Sequence, residues 1–226
     1  MLVSLVIRTL NEEVYLKELL SAIVDQNLDG FDLEIVIIDS GSTDTTLSIA
    51  ESFSARITHI SKEEFTFGRS LNMGSDFADG DILVYVSGHC IPSTNQWLCN
   101  LVKPILDGIA QYTYGRQIGR DTTKYSERKI FNKYFPPMSK IPQSGFFCNN
   151  ANSAISRDTW SKFQFNEQVT GLEDMELSKR LCEQGGKVAY VAEACVFHIH
   201  NEQWGQTRRR YERESIALQV IMPEVH

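Results

Sequence analysis

Short runs of apolar, largely β-branched residues alternate with helix-period segments through residues 1–108. LVSLVIRTL (2–10), LEIVIIDSGS (33–42), RITHIS (56–61) and DILVYVS (81–87) read as strands. Most are near-continuously apolar, the pattern of strands buried on both faces. Between them lie NEEVYLKELLSAIVDQN (11–27), TDTTLSIAESFS (43–54), Arg69 to Phe77, and TNQWLCNLVKPILDG, helical up to the region of Pro104. In the first of these, Val14, Leu16, Leu19, Leu20, Ile23 and Val24 share one helical face. Asn11 is its natural N-cap, with Glu12 and Glu13 complementing the positive end of the helix dipole. Strand–helix alternation with short connections predicts an α/β fold with a Rossmann-like, mostly parallel central sheet flanked by helices.

After Gly108 the character changes. Tyr112 to Gln117 reads as a strand, and 122–148 as a long, irregular, proline-punctuated segment. Such a stretch inside a compact domain is more often a lid or binding loop than filler. NNANSAISRDTW (149–160) reads as a strand leading into a helix, and LEDMELSKRLCEQGG (172–186) as an amphipathic helix closed by a glycine C-cap. VAYVAEACVFHIHN (188–201) is strand-like, and Gln203 to Ile221 a basic amphipathic helix. The expected organisation is one domain over 1–226 in two functional halves, 1–108 and 109–226.

Several classes fall away. A hydrophobic content of 42% with 23% charged residues is that of a soluble globular chain. No stretch approaches the ~18 consecutive apolar residues of a membrane span. The N-terminal sequence lacks the features of an export signal, which points to the cytoplasm. A net charge of −7 argues against a nucleic-acid partner. Five cysteines with no CxxC pair point to free thiols rather than a disulfide frame or zinc knuckle. Neither GxGxxG after the first strand nor GxxxxGK[ST] is present, so the dinucleotide and P-loop readings lose their main support.

Open α/β sheets bind ligands at the C-terminal ends of their strands. There stand Thr9, Asn11 and Glu12 after the first strand, and Asp39, Ser42 and Asp44 after the second. A carboxylate at such a tip accepts from a base N–H or a ribose hydroxyl. Asn11 and Asp44 are equally explained as helix caps. His198 and His200 alternate, so on a strand both point to one face, the spacing of a two-imidazole metal site; ordinary hydrogen-bonded histidines are the bland alternative. Glu173 and Asp174 open a helix, where acidic residues are common for dipole reasons alone. Asn149, Asn150 and Asn152 cluster as amides suited to sugar hydroxyls. Trp97 and Trp160 fit a core, whereas Trp204 either stacks on a sugar or staples the tail. Arg208, Arg209, Arg210 and Arg213, opposite Ile216, Leu218 and Val220, form by default a solvated basic face. The alternative for that face is contact with a diphosphate or with anionic lipid head groups.

IRTLNE (7–12), IVIIDSGSTDTT (35–46), FGRSLNMGSDFADGDILVYVSGHCIP (67–92), GLEDMELSKRLCEQGGKVAYV (171–191) and HIH (198–200), in that order, resemble the inverting family 2 glycosyltransferases of the GT-A fold over nearly the whole chain. The resemblance implies that Glu12 and Asp39 hold the ribose and base of a nucleoside-diphosphate sugar, and that Arg69 and Asn72 lie near the nucleotide. It makes residues 1–108 the donor-binding half and 109–226 the acceptor-binding and catalytic half. By the same match Asp174 is the general base that deprotonates an acceptor hydroxyl, and Glu173 positions acceptor or donor. Gly115-Arg116-Gln117 resembles a piece of rhamnosyltransferase-like members and falls on the acceptor side, with Asn150, Asn152 and Trp204. Where the family carries Asp-x-Asp, this chain has Ser87-Gly88-His89. Loss of the first carboxylate disfavours hard cations, while His89 with His198 or His200 supplies imidazole ligands that suit Mn²⁺ better than Mg²⁺.

The resulting expectation is an inverting, hexosyltransferase-type enzyme acting on a glycan or lipid-linked acceptor in bacterial surface-polysaccharide assembly. It would work in the cytoplasm or peripherally at the inner membrane face through the basic C-terminal helix. The departure at Ser87 motivates the alternative of a catalytically silent relative that binds nucleotide-sugar or glycan. An unrelated Rossmann-like oxidoreductase or methyltransferase is the more distant rival.

Overall fold

A computed structural model describes residues 1–200 and 204–224. Strands β1 (Leu2–Thr9), β2 (Asp32–Asp39), β3 (Arg56–His59), β4 (Ile82–Ser87), β5 (Cys90–Pro92), β6 (Tyr112–Ile118), β7 (Asn152–Ser156) and β8 (Val188–His198) form one eight-stranded sheet in the order β3-β2-β1-β4-β7-β6-β8-β5. β3, β2, β1 and β4 run parallel. β7 is antiparallel to β4 and β6, β6 and β8 are parallel, and β5 closes the edge antiparallel to β8. The expected α/β architecture with a mostly parallel sheet is therefore present.

Helices α1 (Leu16–Val24), α2 (Thr46–Ser52), α3 (Phe67–Phe77), α4 (Trp97–Leu106), α5 (Tyr125–Tyr134), α6 (Arg157–Phe163), α7 (Glu173–Glu183) and α8 (Trp204–Ile221) flank it. Side-chain alternation along β1 explains the two-sided burial. Val3, Leu5 and Ile7 enter a core with Leu16, Leu19 and Ile23 of α1 and Trp97 of α4. Val6 enters a second core with Leu71 of α3, Trp160 of α6 and Leu177 of α7. Trp97 and Trp160 are thus core residues, as their helical setting suggested, and the five cysteines are free thiols.

Four local expectations need correction. Asn11 does not cap α1, which starts at Leu16 after Tyr15; Asn11 sits at φ 56° and spends its side chain on the neighbouring strand-tip loop. Val14 and Val24 are not on the buried face, at 69% and 55% exposure, because the helix covers only 16–24 and packs through Leu16, Leu19, Leu20 and Ile23. The irregular segment 122–148 contains α5, whose sole fully buried side chain, Phe131, leaves too weak an apolar stripe to read. α4 runs two residues past Pro104 and ends at Leu106, although the proline has no N–H to donate to the Asn100 carbonyl.

The basic helix α8 is also rotated from its expected setting. Ala217 and Ile221 are its buried positions, while Ile216 and Val220 face solvent. Its expected first residue, Gln203, lies outside the described residues. No helix among the described residues is long and apolar enough to cross a membrane.

Candidate active site

The strand tips of the N-terminal half are laced into one ledge. Parallel register places Thr9 beside Asp39. The Asp39 carboxylate accepts from the Gly41 and Ser42 backbone N–H groups at 2.9 and 2.8 Å, from Thr9 Oγ1 at 3.0 Å and from Ser42 Oγ. Burial pushes its pKa up, but these donors outweigh burial and hold it below the usual carboxylate value. Across the gap, Asn11 N–H donates to Ser42 Oγ at 2.9 Å, Thr43 N–H donates to Asn11 Oδ1 at 2.8 Å, and Glu12 N–H donates to Thr46 Oγ1 at 2.8 Å. This lacing fixes the direction of the Glu12 side chain.

Glu12 reaches over the tip of β4. A Cβ on Gly88 would meet Glu12 Cγ at 2.8 Å, so only glycine admits the carboxylate there. One residue further, His89 Nδ1–H donates to Glu12 Oε1 at 2.9 Å. Antiparallel pairing of β5 with β8 sets Cys90 opposite His198, and Ile199 N–H donates to the His89 carbonyl at 3.2 Å, so His89, His198 and His200 converge. Ring centroids of His198 and His200 are 4.1 Å apart, and His89 lies 5.3 and 5.7 Å from them. Each Nδ1 is committed to an oxygen: His89 to Glu12, His198 to Gln117 Oε1 at 2.6 Å, and His200 to Glu127 Oε1. Those oxygens only accept, so each Nδ1 carries a hydrogen, and the Nε2 side of each neutral ring is the one free to ligate.

One potential ligand atom from each of the three histidines lies within 4.8 Å of the others. Burial, then the neighbouring imidazoles and Arg210, hold His198 well below its ordinary pKa, which keeps it neutral as metal ligation requires. The triad could hold a metal ion, and the oxygens behind it are the outer partners that orient ligating imidazoles.

Gln117 continues this scaffold. Its Nε2 donates to Asn149 Oδ1 at 2.8 Å, and the next residue, Asn150, donates its backbone N–H to Asp174 Oδ2 at 2.8 Å. Asp174 stands in the first turn of α7, entered through Leu172 at φ 55°, and accepts at Oδ1 from Met175 N–H at 2.8 Å. It is 6% exposed. Burial, followed by the charge of Glu173, raises its pKa to about 7 against the opposing pull of the two N–H groups and Arg8. Arg8 Nη1 lies 3.7 Å from Glu173 Oε1, so one cation faces two buried carboxylates.

These groups open onto one cleft of about 760 Å³. Thr9, Asn11, Glu12, Ser87, Gly88, His89, Asn150, Glu173, Asp174, His198 and His200 all line it, as do Arg8, Lys62 and Phe67 from the strand side and Arg210 and Arg213 from α8. A volume of this size suits a small-molecule ligand.

Other expected site residues lie elsewhere. Arg69 does not face the cleft; it pairs with Glu167 at 2.8 Å. Asn72 is buried, bonding the Phe165 carbonyl at 2.9 Å and Glu167 at 3.1 Å, so both residues brace the chain before α7. Asp39 and Ser42 lie behind the ledge, spent on its internal hydrogen bonds. Asn152 is a core amide that binds Trp97 Nε1 and the Ala194 carbonyl, and the Arg116 carbonyl accepts from it at 3.1 Å. Arg116 and Gln117 do not line the cleft, and Gln117 acts behind His198. Trp204 is 77% exposed under Lys124, 5.2 Å from the ring centroid, and not at the cleft.

Sequence reasoning passed over Arg8, Phe67 and Glu127, and its default of a solvated face does not hold for Arg210 and Arg213, which line the cleft. Arg8 did carry a signal: a lone cation in an otherwise apolar buried strand requires a partner.

A model of glycosyl transferase family 2 matches residues 4–162. The chain is 27% identical over 224 residues to the O-antigen chain rhamnosyltransferase RfbN of Salmonella typhimurium, covering 93% of this chain and 70% of that protein. It is 43% identical over 243 aligned positions to an uncharacterized glycosyltransferase of Haemophilus influenzae, covering 96% of this chain and 73% of the other. Among solved structures, the mannosyltransferase PcManGT from Pyrobaculum calidifontis, in complex with GDP-Man and Mn²⁺, superposes with a TM-score of 0.75 at 19% identity. That likeness spans 98% of this chain but only 63% of the mannosyltransferase.

Proposed function

The chain belongs to glycosyl transferase family 2 and has the GT-A fold, and on that premise we propose that it moves one sugar from a nucleoside-diphosphate sugar to a hydroxyl of a glycan or lipid-linked saccharide, inverting the anomeric configuration. The observation that carries this reading is a single buried carboxylate of raised pKa, Asp174, facing the same cleft as Glu12 and the three convergent histidines. Asp174 takes the proton of the acceptor hydroxyl as that oxygen bonds to the anomeric carbon. The bond from carbon to the diphosphate oxygen breaks, and the nucleoside diphosphate leaves with the electron pair. A base near neutral pKa is suited to this transfer, since it is ionised at working pH yet basic enough to accept a proton.

Glu12 with Thr9 and Asn11 faces the nucleoside, Glu173 and the Asn150 side chain face the sugar or acceptor, and His89, His198 and His200 hold a divalent cation. Bound there, the cation supplies positive charge for the departing diphosphate. An all-imidazole ligand set favours Mn²⁺ over Mg²⁺. It also answers the silent-relative reading, since ligation does not need the missing carboxylate at Ser87. The similarity to an O-antigen rhamnosyltransferase supports bacterial surface polysaccharide as the setting.

Thermal-shift screening separates this reading from its rivals. One of UDP, GDP or dTDP with Mn²⁺ is expected to raise the melting temperature by several degrees, since a ligand held at a hundred times its Kd stabilises by about 2.7 kcal/mol. A rise with NAD and with none of the three nucleotides would reject it.

The outer face of α8 belongs to the same proposal. Trp204, Tyr211, Ile216 and Val220 are exposed alongside Arg208, a mixture suited to an anionic membrane surface carrying a lipid-linked acceptor. Co-sedimentation with vesicles containing about a third phosphatidylglycerol is expected in low salt, weakened by Trp204→Ala with Arg208→Gln. Equal recovery from neutral and anionic vesicles would remove this contact.

A further inference from the structure

Two guanidinium groups meet one aromatic ring at the wall of the cleft. The Arg8 guanidinium carbon lies 4.8 Å from the Phe67 ring centroid, and that of Arg213 lies 4.4 Å from it. Their charges are not equally compensated. Arg8 faces Glu173 at 3.7 Å and is drawn towards Asp174 as well. Arg213 makes no ion pair among the described residues, and its Nε is buried without a hydrogen-bond partner. Gly171, in the turn that leads into α7, lies against it: a Cβ there would stand 3.5 Å from Arg213 Nε. The backbone on that side is tied down too, since Thr170 Oγ1 donates to the Arg213 carbonyl at 3.1 Å.

A buried N–H of a charged group without an acceptor is costly, and a second cation on the same ring adds repulsion. Both costs vanish when an anion enters between α8 and the strand tips. Ring stacking leaves the edge of a planar guanidinium free for oxygen, the geometry in which arginine binds phosphate.

Resting on the reading that this cleft takes a diphosphate substrate, we propose that Arg213, with Arg8 behind it, forms an anion site for a phosphate group of that substrate. The site is separate from the three histidines and is completed by α8. The phosphate comes either from the donor's nucleoside diphosphate or from a prenyl-diphosphate anchor on the acceptor. Both offer the same oxygens.

Isothermal titration in MnCl₂ tests this with two probes: the nucleoside diphosphate that stabilises the wild-type protein, and farnesyl diphosphate as a soluble prenyl diphosphate. Arg213→Gln is expected to weaken one of them by about tenfold or more, the loss of a charge-assisted hydrogen bond. Arg213→Lys should recover only part, because an ammonium cannot stack and bind bidentately. Arg209→Gln, which removes the same charge from the exposed face of α8, should leave both affinities unchanged. A loss confined to the nucleotide assigns the site to the donor, and one confined to farnesyl diphosphate assigns it to the acceptor. Wild-type affinity for both probes in the Arg213→Gln and Arg213→Lys proteins overturns the anion site while leaving the proposed function standing. A wild-type protein that binds neither probe overturns both. Circular dichroism melting checks that the variants fold, and the lysine variant carries the test if the glutamine one does not.

Discussion

Replacement of Asp174 by asparagine is expected to lower kcat by about three orders of magnitude, within the range lost when a general base is removed. The exchange is close to isosteric, and an asparagine Oδ1 can still accept from Asn150 or Met175 N–H, so the cleft keeps its shape. Donor affinity should hardly change, which separates this effect from misfolding. The pH profile gives a second reading. With a folded pKa of about 7, wild-type kcat/KM should fall as pH drops through that value, because the protonated carboxyl cannot accept a proton. The variant should lack that limb.

Stability follows with the opposite sign from the usual carboxylate. The pKa is raised on folding, so ionisation opposes the folded state, and that penalty is present above pH 7 and fades as pH falls towards the unfolded value near 4. Asp174→Asn should therefore raise Tm at pH 8 by about 3 °C or more. Activity near wild type in Asp174→Asn would remove this residue from the chemistry whatever the stability change.

Removal of the proposed metal site carries the second large effect. His198→Ala should weaken Mn²⁺ binding by at least about a hundredfold, and chelation of the wild-type enzyme should suppress turnover that Mn²⁺ restores at least as well as Mg²⁺. Gln117→Leu offers a graded counterpart. It removes no ligand, yet frees the His198 ring and its Nδ1–H, and the expected loss of metal affinity is roughly ten- to a hundredfold. Because Gln117 also holds Asn149, next to the residue that positions Asp174, a loss of kcat beyond what saturating Mn²⁺ recovers is expected in this variant. Full turnover by the wild-type enzyme in excess chelator would sink the metal assignment without touching the fold.

Much of the N-terminal half was legible because its signals are local and strong. β1, β2 and β4 are buried on both faces, and such strands are nearly continuous in apolar residues, so their limits and their parallel pairing could be anticipated. The acidic opening of α7 was equally readable, since helix starts have their own chemistry. Arg69 and Asn72 misled because position along the chain stood in for direction: both point towards the Glu167 segment rather than the cleft. α5 and the rotation of α8 escaped because a helix with one or two buried positions has no dependable apolar stripe.

From the sequence alone came the α/β class, the two-sided burial of the central strands, the buried tryptophans, and the acidic pair at the start of α7. Each depends on neighbours a few residues apart, where hydrophobic periodicity and capping act. Only the tertiary structure decided that β5 and β8 pair antiparallel and bring His89 to His198 and His200, that Gln117 stands behind this triad, and that Arg213 turns inward onto Phe67. Those outcomes follow from strand register and helix rotation, which are set by packing between segments far apart in the chain.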